Sequence, residues 1–357
     1  MSRVLIVSEF YPPHIGGVER FVHVLSRGLD ERGHHCTVLC TGDQDEDDRL
    51  DGVRVIRLAN RPVEFHGLNL RFAARLKGLL DGYDLVHINS FYPLLSDTAA
   101  RACRRRGVPY VFSPHYHGQG HSPSGRVLFR LYSPFTRPMF QHAAAVLCCS
   151  EFERSLVHRD FGPDIRTTVI PHGTPYCYLE PRSRNGRLLF VGRMEAYKGP
   201  QRVLAISKEL HARGRDVGLD LVGDGPLRRE LEDEVRASGL QDQVSFHSGL
   251  AEDELLRLMR EASLLVLLSD AEAYGLVVSE ALSNGTPCLV SDRMALAEFQ
   301  DEKGCFVYHG PYESSALADL TERILDSEVE VGPPGDKIPS TERMVDMIES
   351  LYSSIIP

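Results

Sequence analysis

Two cations and two carboxylates in this chain sit where chemistry is plausible. Arg193 and Lys198 occur in FVGRMEAYKGP (190–200), directly after an apolar run and flanked by Gly192 and Gly199. Glu272 and Glu280 bracket EAYGLVVSE (272–280), with Tyr274 and Gly275 between them. A planar guanidinium and a point-charge ammonium together suit a pair of phosphoryl groups. A carboxylate can accept two hydrogen bonds from a vicinal diol such as that of ribose, and a second can hold sugar hydroxyls. On spacing alone, the two glutamates read equally well as ordinary surface carboxylates.

Glycines add possible backbone donors. Gly16-Gly17 falls where the first strand's loop meets the first helix, and a helix start without side chains offers N–H groups to an anion. A tight turn explains the pair as well, and no G-x-G-x-x-G follows the strand, so the dinucleotide fingerprint is absent. GDGP (223–226), with Gly223, is a second strand-to-helix turn. Tyr274-Gly275 precedes an apolar helical run, so the 275–279 amides can face a charged or hydroxyl-rich ligand.

These residues need elements to hold them at strand ends. VLIVS (4–8) is a nearly all-apolar run of the kind found in a parallel strand covered on both faces. Helical spacing from Val18 to Arg32 follows, with Phe21, Val24, Leu25 and Leu29 as its stripe and Gly33 as its stop. Strand-like pieces recur at HHCTVLC, VRVIR, DLVHI, PYVFS and AAVLCCS, with helical segments such as NLRFAARLKGLL (69–80) and DTAARACRRRG (97–107) between them. RLLFV (187–191) starts the scheme again through VGLDLVG, QVSFHSG, SLLVLLS and PCLVS. The pattern predicts two α/β domains, as does a length of 357 residues. The expected boundaries are 1–173, a hinge at 174–186, 187–340, and a C-terminal helix at 341–357 able to cross back to the first domain.

Composition narrows the function. Residues 1–170 carry 21 Lys and Arg against 18 Asp and Glu, whereas residues 171–357 carry 19 against 32. That split argues against general nucleic-acid binding and leaves the first half free to meet an anionic partner. No apolar run is long enough to span a membrane, and SRVLIVSEFYPPH does not read as a signal peptide, so a cytoplasmic location is expected. The eight cysteines have no zinc-like spacing and read as buried reduced thiols. The acidic DQDEDD (43–48) reads as a solvated loop rather than a metal site.

The ordered set GGVER (16–20), VGRMEAYKG (191–199), GDGP (223–226) and EAYGLVVSE (272–280) resembles the retaining GT-B glycosyltransferases of family 4 over roughly residues 4–350. The glutamate pair is similar to that family's E-x7-E motif. The resemblance implies two Rossmann-like domains facing across a cleft, and retaining, metal-independent transfer from a nucleotide-diphosphate sugar, with no other cofactor. It implies that Arg193 and Lys198 hold the diphosphate, with Gly17 and Gly223 adding backbone contacts. Glu280 would bind the ribose, and Glu272 the transferred sugar beside the amides of Ala273, Tyr274, Gly275 and Leu276. His115 in VFSPHYHG matches the family's histidine beside the reacting sugar, with His117 as its competitor; either also reads as a loop histidine.

The region around His247 to Gly249 would lie by the base, for which UDP, GDP and ADP stay open. The acceptor would be a small molecule, a glycan or a lipid-linked sugar. In the last case Arg104, Arg105 and Arg106 would contact an anionic membrane peripherally. One departure is evident: SDRMALAEF (291–299) puts Met294 and Ala295 where the family has a glycine pair, which predicts a differently shaped loop. Other readings of this architecture are a nucleotide-sugar epimerase, a phosphorolytic enzyme or a non-catalytic sugar-binding protein.

Overall fold

The computed structural model describes residues 1–14, 16–59, 70–91, 93–118, 136–174 and 184–356. The chain divides into two compact units, Met1–Gly173 with Thr341–Pro357, and Thr174–Ser340. Most of the hinge segment TPYCYLEPRSRNG lies outside the described residues.

The first unit is built on an eight-stranded sheet. Its strands are β1 (Arg3–Val7), β2 (His35–Gly42), β3 (Glu46–Leu50), β4 (Val53–Ala59), β5 (Leu85–Asn89), β6 (Tyr110–Ser113), β7 (Ala145–Cys148) and β8 (Thr167–Val169), in spatial order β3-β4-β2-β1-β5-β6-β7-β8. All neighbours are parallel except β3 and β4. Val4 to Val7 are fully buried, as a strand with helices on both faces requires.

The helix Thr341–Ile355 belongs to this unit. Met344, Val345, Ile348 and Tyr352 join a core with Phe21, Leu25 and Leu29 of the helix Gly17–Glu31. Arg32 donates to Asp346 at 2.6 Å, and His34 pairs with Glu349 at 2.9 Å. Tyr352 lies 2.5 Å from His87 Nδ1, which ties the helix to the middle of the sheet.

The acidic run differs from expectation. Glu46–Leu50 is an edge strand antiparallel to β4, not a loop. Arginines make this possible. Asp47 takes two bonds from Arg54 at 2.8 and 2.7 Å and one from Arg75 at 3.1 Å, Asp48 takes Arg57 at 3.0 Å, and Asp45 takes Arg71. Opposite charges across a strand pair replace the apolar contacts that the sequence lacks. A row of charges also discourages further strand pairing at the edge.

The second unit has a six-stranded, all-parallel sheet. Its strands are β9 (Arg187–Val191), β10 (Gly218–Val222), β11 (Val244–His247), β12 (Leu264–Leu267), β13 (Cys288–Ser291) and β14 (Cys305–Tyr308), ordered β11-β10-β9-β12-β13-β14. Numbered within the unit this is 3-2-1-4-5-6, the doubly wound order. The strand order reverses between β9 and β12, where ligands of open α/β sheets bind.

A candidate donor site and a histidine cluster

The loops leaving β9 and β12 carry the cations and Glu272. Lys198 Nζ donates to Glu272 Oε1 at 2.6 Å, and both side chains are mostly buried, with exposures of 19% and 14%. Several contacts fix this pair. The Tyr197 carbonyl accepts from the Asp270 amide at 2.7 Å and from the Ser269 hydroxyl at 3.1 Å, and Arg202 donates to Leu268 O and Asp270 Oδ2, each at 2.5 Å. Gly199 makes this close approach possible. Its φ is +80°, and a Cβ there would lie 2.4 Å from the Leu268 carbonyl oxygen. An L-residue fits neither the backbone angle nor the space.

Arg193 is far more open, at 68% side-chain exposure. It contacts Glu195 at 2.9 Å and the Tyr197 hydroxyl at 2.5 Å. Beneath it two loops touch backbone to backbone. Met194 N donates to Asp224 O at 2.8 Å, and a Cβ on Gly223 would fall 2.0 Å from Gly192 O. Gly223 is thus needed for loop packing, whatever else its amide does.

Gly275, at φ +109°, starts the helix Leu276–Ser283. The first-turn amides of a helix have no intrahelical acceptor, so those of Leu276 and Val277 are available donors. The Tyr274 ring points elsewhere: its hydroxyl donates to Lys337 O at 2.7 Å and its ring packs 5.6 Å from Phe299. Only the backbone of Tyr274 is therefore suited to a ligand. Glu280 is buried, at 4% exposure, one turn inside the helix. Met294 has φ +52°, a backbone angle that favours glycine, and the next amide donates to Glu272 O at 3.4 Å. Here the departing residue adopts a glycine-like conformation rather than avoiding it.

His247 lies 2.9 Å from Asp220, which also takes Arg187 Nε at 2.6 Å. These three form a hydrogen-bonded polar group on one face of β9, β10 and β11.

In the first unit, His115 follows β6 at φ +49°. Its ring stacks on that of His172 at 5.3 Å, and Phe21 lies 5.3 Å from His115 and 4.7 Å from His172. Phe21 is one turn beyond Gly17, so the glycine helix start and His115 belong to one neighbourhood. Burial, with the nearby histidines, lowers the His115 pKa well below the usual range. Burial alone lowers His172 to about 4 and His87 to about 3. All three are neutral near pH 7. His117 Nδ1 lies 3.3 Å from the His115 carbonyl, so the two histidines are held differently. Neither His172 nor Cys149 was marked by a sequence motif, because they follow different strands.

Residues 15–175 match Glycosyltransferase Family 4, and residues 180–340 match Glycosyl transferases group 1. Glycogen synthase of Mycobacterium tuberculosis (strain ATCC 25618 / H37Rv) is 30% identical over 360 residues, covering 91% of this chain and 86% of that protein. The chain belongs to glycosyltransferase family 4. Alpha-D-kanosaminyltransferase of Streptomyces kanamyceticus is 30% identical over 278 residues, covering 72% of this chain and 70% of its own. Among solved structures, sucrose-phosphate synthase from Thermosynechococcus elongatus aligns at TM-score 0.82 and 20% identity, covering 99% of both chains. Anabaena HepE in complex with UDP and glucose aligns at TM-score 0.78 and 18% identity, covering 99% of this chain and 100% of that one. These likenesses show the GT-B fold. This family 4 glycosyltransferase transfers a sugar from a nucleotide-diphosphate sugar to an acceptor.

The apolar stripe of the helix Leu70–Leu79 is core. Phe72 and Leu76 are buried, and the flanking Arg75 pairs with Asp47 of the acidic edge strand and Arg71 with Asp45 just before it. Arg101 pairs with Asp97 and Arg106 with Asp81. Among the described residues only Arg104 and Arg105 of this basic set enter no ion pair. No helix among the described residues is long and apolar enough to cross a membrane.

Proposed function

We propose that the donor lies against the second unit with its diphosphate on Arg193 and Lys198, and that the transfer retains anomeric configuration. The observation that carries this reading is the Lys198–Glu272 pair at the strand-order switch of a 3-2-1-4-5-6 sheet. Each member has a chemically matched alternative partner: a phosphate for the ammonium, and sugar hydroxyls for the carboxylate. Exposed Arg193 supplies the second cation, and the Leu276 and Val277 amides supply neutral donors. Buried Glu280 would accept two ribose hydroxyls, with Gly223 and Ala273 to Gly275 contributing backbone. His115 is the residue of the first unit assigned to the reacting sugar, and Gly17 adds a helix-start amide.

Charge on the leaving diphosphate is then stabilised by fixed cations and amides rather than by a bound metal. The departing phosphate takes the acceptor's proton as the new glycosidic bond forms on the same face. The acceptor is a small molecule, a glycan or a lipid-linked sugar on the cytoplasmic side. Membrane contact would fall to Arg104 and Arg105. Co-sedimentation with anionic liposomes, lost in R104S/R105S, supports that contact, and no binding at low salt dismisses it.

A matrix of UDP-, GDP- and ADP-sugars, assayed for nucleoside diphosphate release without acceptor, tests the donor assignment. Slow release from donors of one base is expected. A donor that binds but releases its nucleotide at the same rate in wild type and in R193A would overturn the diphosphate assignment.

A further inference from the structure

Three side chains from three strand ends converge in the first unit. His115 follows β6, Cys149 follows β7 and His172 follows β8. One ligating atom from each lies within 4.8 Å of the others. Cys149 is 3% and His172 7% exposed, and the buried His115 Nε2 has no hydrogen-bond partner. In a tetrahedral zinc site, ligands at about 2.0–2.3 Å from the ion lie roughly 3.3–3.8 Å from one another. To meet a common ion the three atoms close from within 4.8 Å to that spacing, the Cys149 thiol turns from its hydrogen bond with Glu153, and the stacked His115 and His172 rings turn until their in-plane lone pairs converge. Phe21 covers the histidine pair with an apolar ring, as suits a site that excludes water.

We propose that His115, Cys149 and His172 form a site for a thiophilic divalent ion of the zinc class, and that its occupation inhibits transfer. Two neutral imidazoles and a thiolate make a borderline-soft donor set, unsuited to Mg²⁺ or Ca²⁺. On binding, the metal–sulfur bond forms as the S–H bond breaks, and the proton leaves to buffer. No electrons are exchanged. The inhibitory half rests on the placement of His115 at the reacting sugar, because a metal-bound imidazole cannot also serve there. The binding half does not. The acidic run and Glu272, each engaged by basic side chains, offer no comparable cluster.

The test is titration of the full chain with Co²⁺, followed by displacement with Zn²⁺, alongside turnover in the same solutions. Wild type should develop visible ligand-field bands with a thiolate charge-transfer band, and one equivalent of Zn²⁺ should abolish both. C149S replaces a buried thiol with a hydroxyl of similar shape; it should lose the charge-transfer band and turn over normally without Zn²⁺. Its Zn²⁺ affinity should fall by about 100-fold or more, since loss of even an outer-shell partner costs 10- to 100-fold. H172Q, which leaves the thiol in place, should weaken Co²⁺ binding similarly. No charge-transfer band in wild type, or the same band in C149S, overturns the site. If all three ligands bind Co²⁺ but Zn²⁺ leaves turnover unchanged, the inhibitory half falls together with the assignment of His115 to the sugar.

Discussion

Lys198 Nζ and Glu272 Oε1 are 2.6 Å apart, each largely buried, although 74 residues separate them in sequence. Removing one partner strands the other. K198A should therefore cost about 1–3 kcal/mol, the usual penalty for an unsatisfied buried polar group. R193A removes a side chain that is 68% exposed and should cost less than about 0.5 kcal/mol. Urea unfolding of the two variants checks this, and equal losses would mean that the pair contributes nothing special.

Glu280 and Glu272 should separate by function. With Glu280 on the ribose diol as proposed, Glu280→Gln removes one strong acceptor and should weaken binding of the free nucleoside diphosphate by about tenfold, or roughly 1.4 kcal/mol. Glu272→Gln should leave that affinity within about threefold and lower the rate of sugar transfer instead. Calorimetric titration together with kcat resolves the two. Equal loss of nucleotide affinity in both would refute the division.

Acid should destabilise the first unit in a defined window. His87 and His172 have folded pKa values of about 3 and 4 against an ordinary 6.5, and His115 is also lowered. Groups with depressed folded values contribute fully above pH 6.5 and lose that contribution as pH falls toward 4. Each histidine accounts for about 1.4 kcal/mol per pH unit in that range. Glu153 acts oppositely, because burial raises it from 4.5 to about 7, so its contribution grows as pH falls from 7 to 4.5. Three lowered histidines outnumber the one raised carboxyl, so the net effect of acid below pH 6.5 is destabilising. Urea midpoints followed by circular dichroism should thus drop from pH 7 to pH 5. A constant or rising midpoint would contradict neutral buried histidines.

Much of the fold could be read from local pattern. VLIVS and RLLFV are nearly uniform apolar runs, and both are central parallel strands. The edge strand Glu46–Leu50 could not be read that way. Its stability comes from Arg54 and Arg57 across the strand pair and from Arg71 and Arg75 on a helix, none of them visible in the acidic run itself. The site divides similarly. Arg193, Lys198 and the glutamates stand in compact motifs, so their proximity to strand ends was expected. How Lys198 is pinned was not, because it depends on Arg202, the Tyr197 carbonyl and the missing Cβ of Gly199 meeting a distant loop. His172 and Cys149 left no signal, since a cluster built from three strand ends has no fixed spacing in sequence. Met294 adds a backbone angle in the left-handed region that its residue type does not advertise.

The most direct test of the central claim, that fixed cations stabilise the leaving diphosphate, is turnover of a matched donor and acceptor in EDTA. Wild type should run at full rate in chelator. R193A and K198A should fall by about 10²-fold or more in kcat/KM, as loss of one preorganised charge-stabilising donor typically brings, with no rescue by Mg²⁺ or Mn²⁺. Loss of wild-type activity in EDTA that only a divalent ion restores, or near-wild-type rates in folded R193A and K198A, would contradict the account.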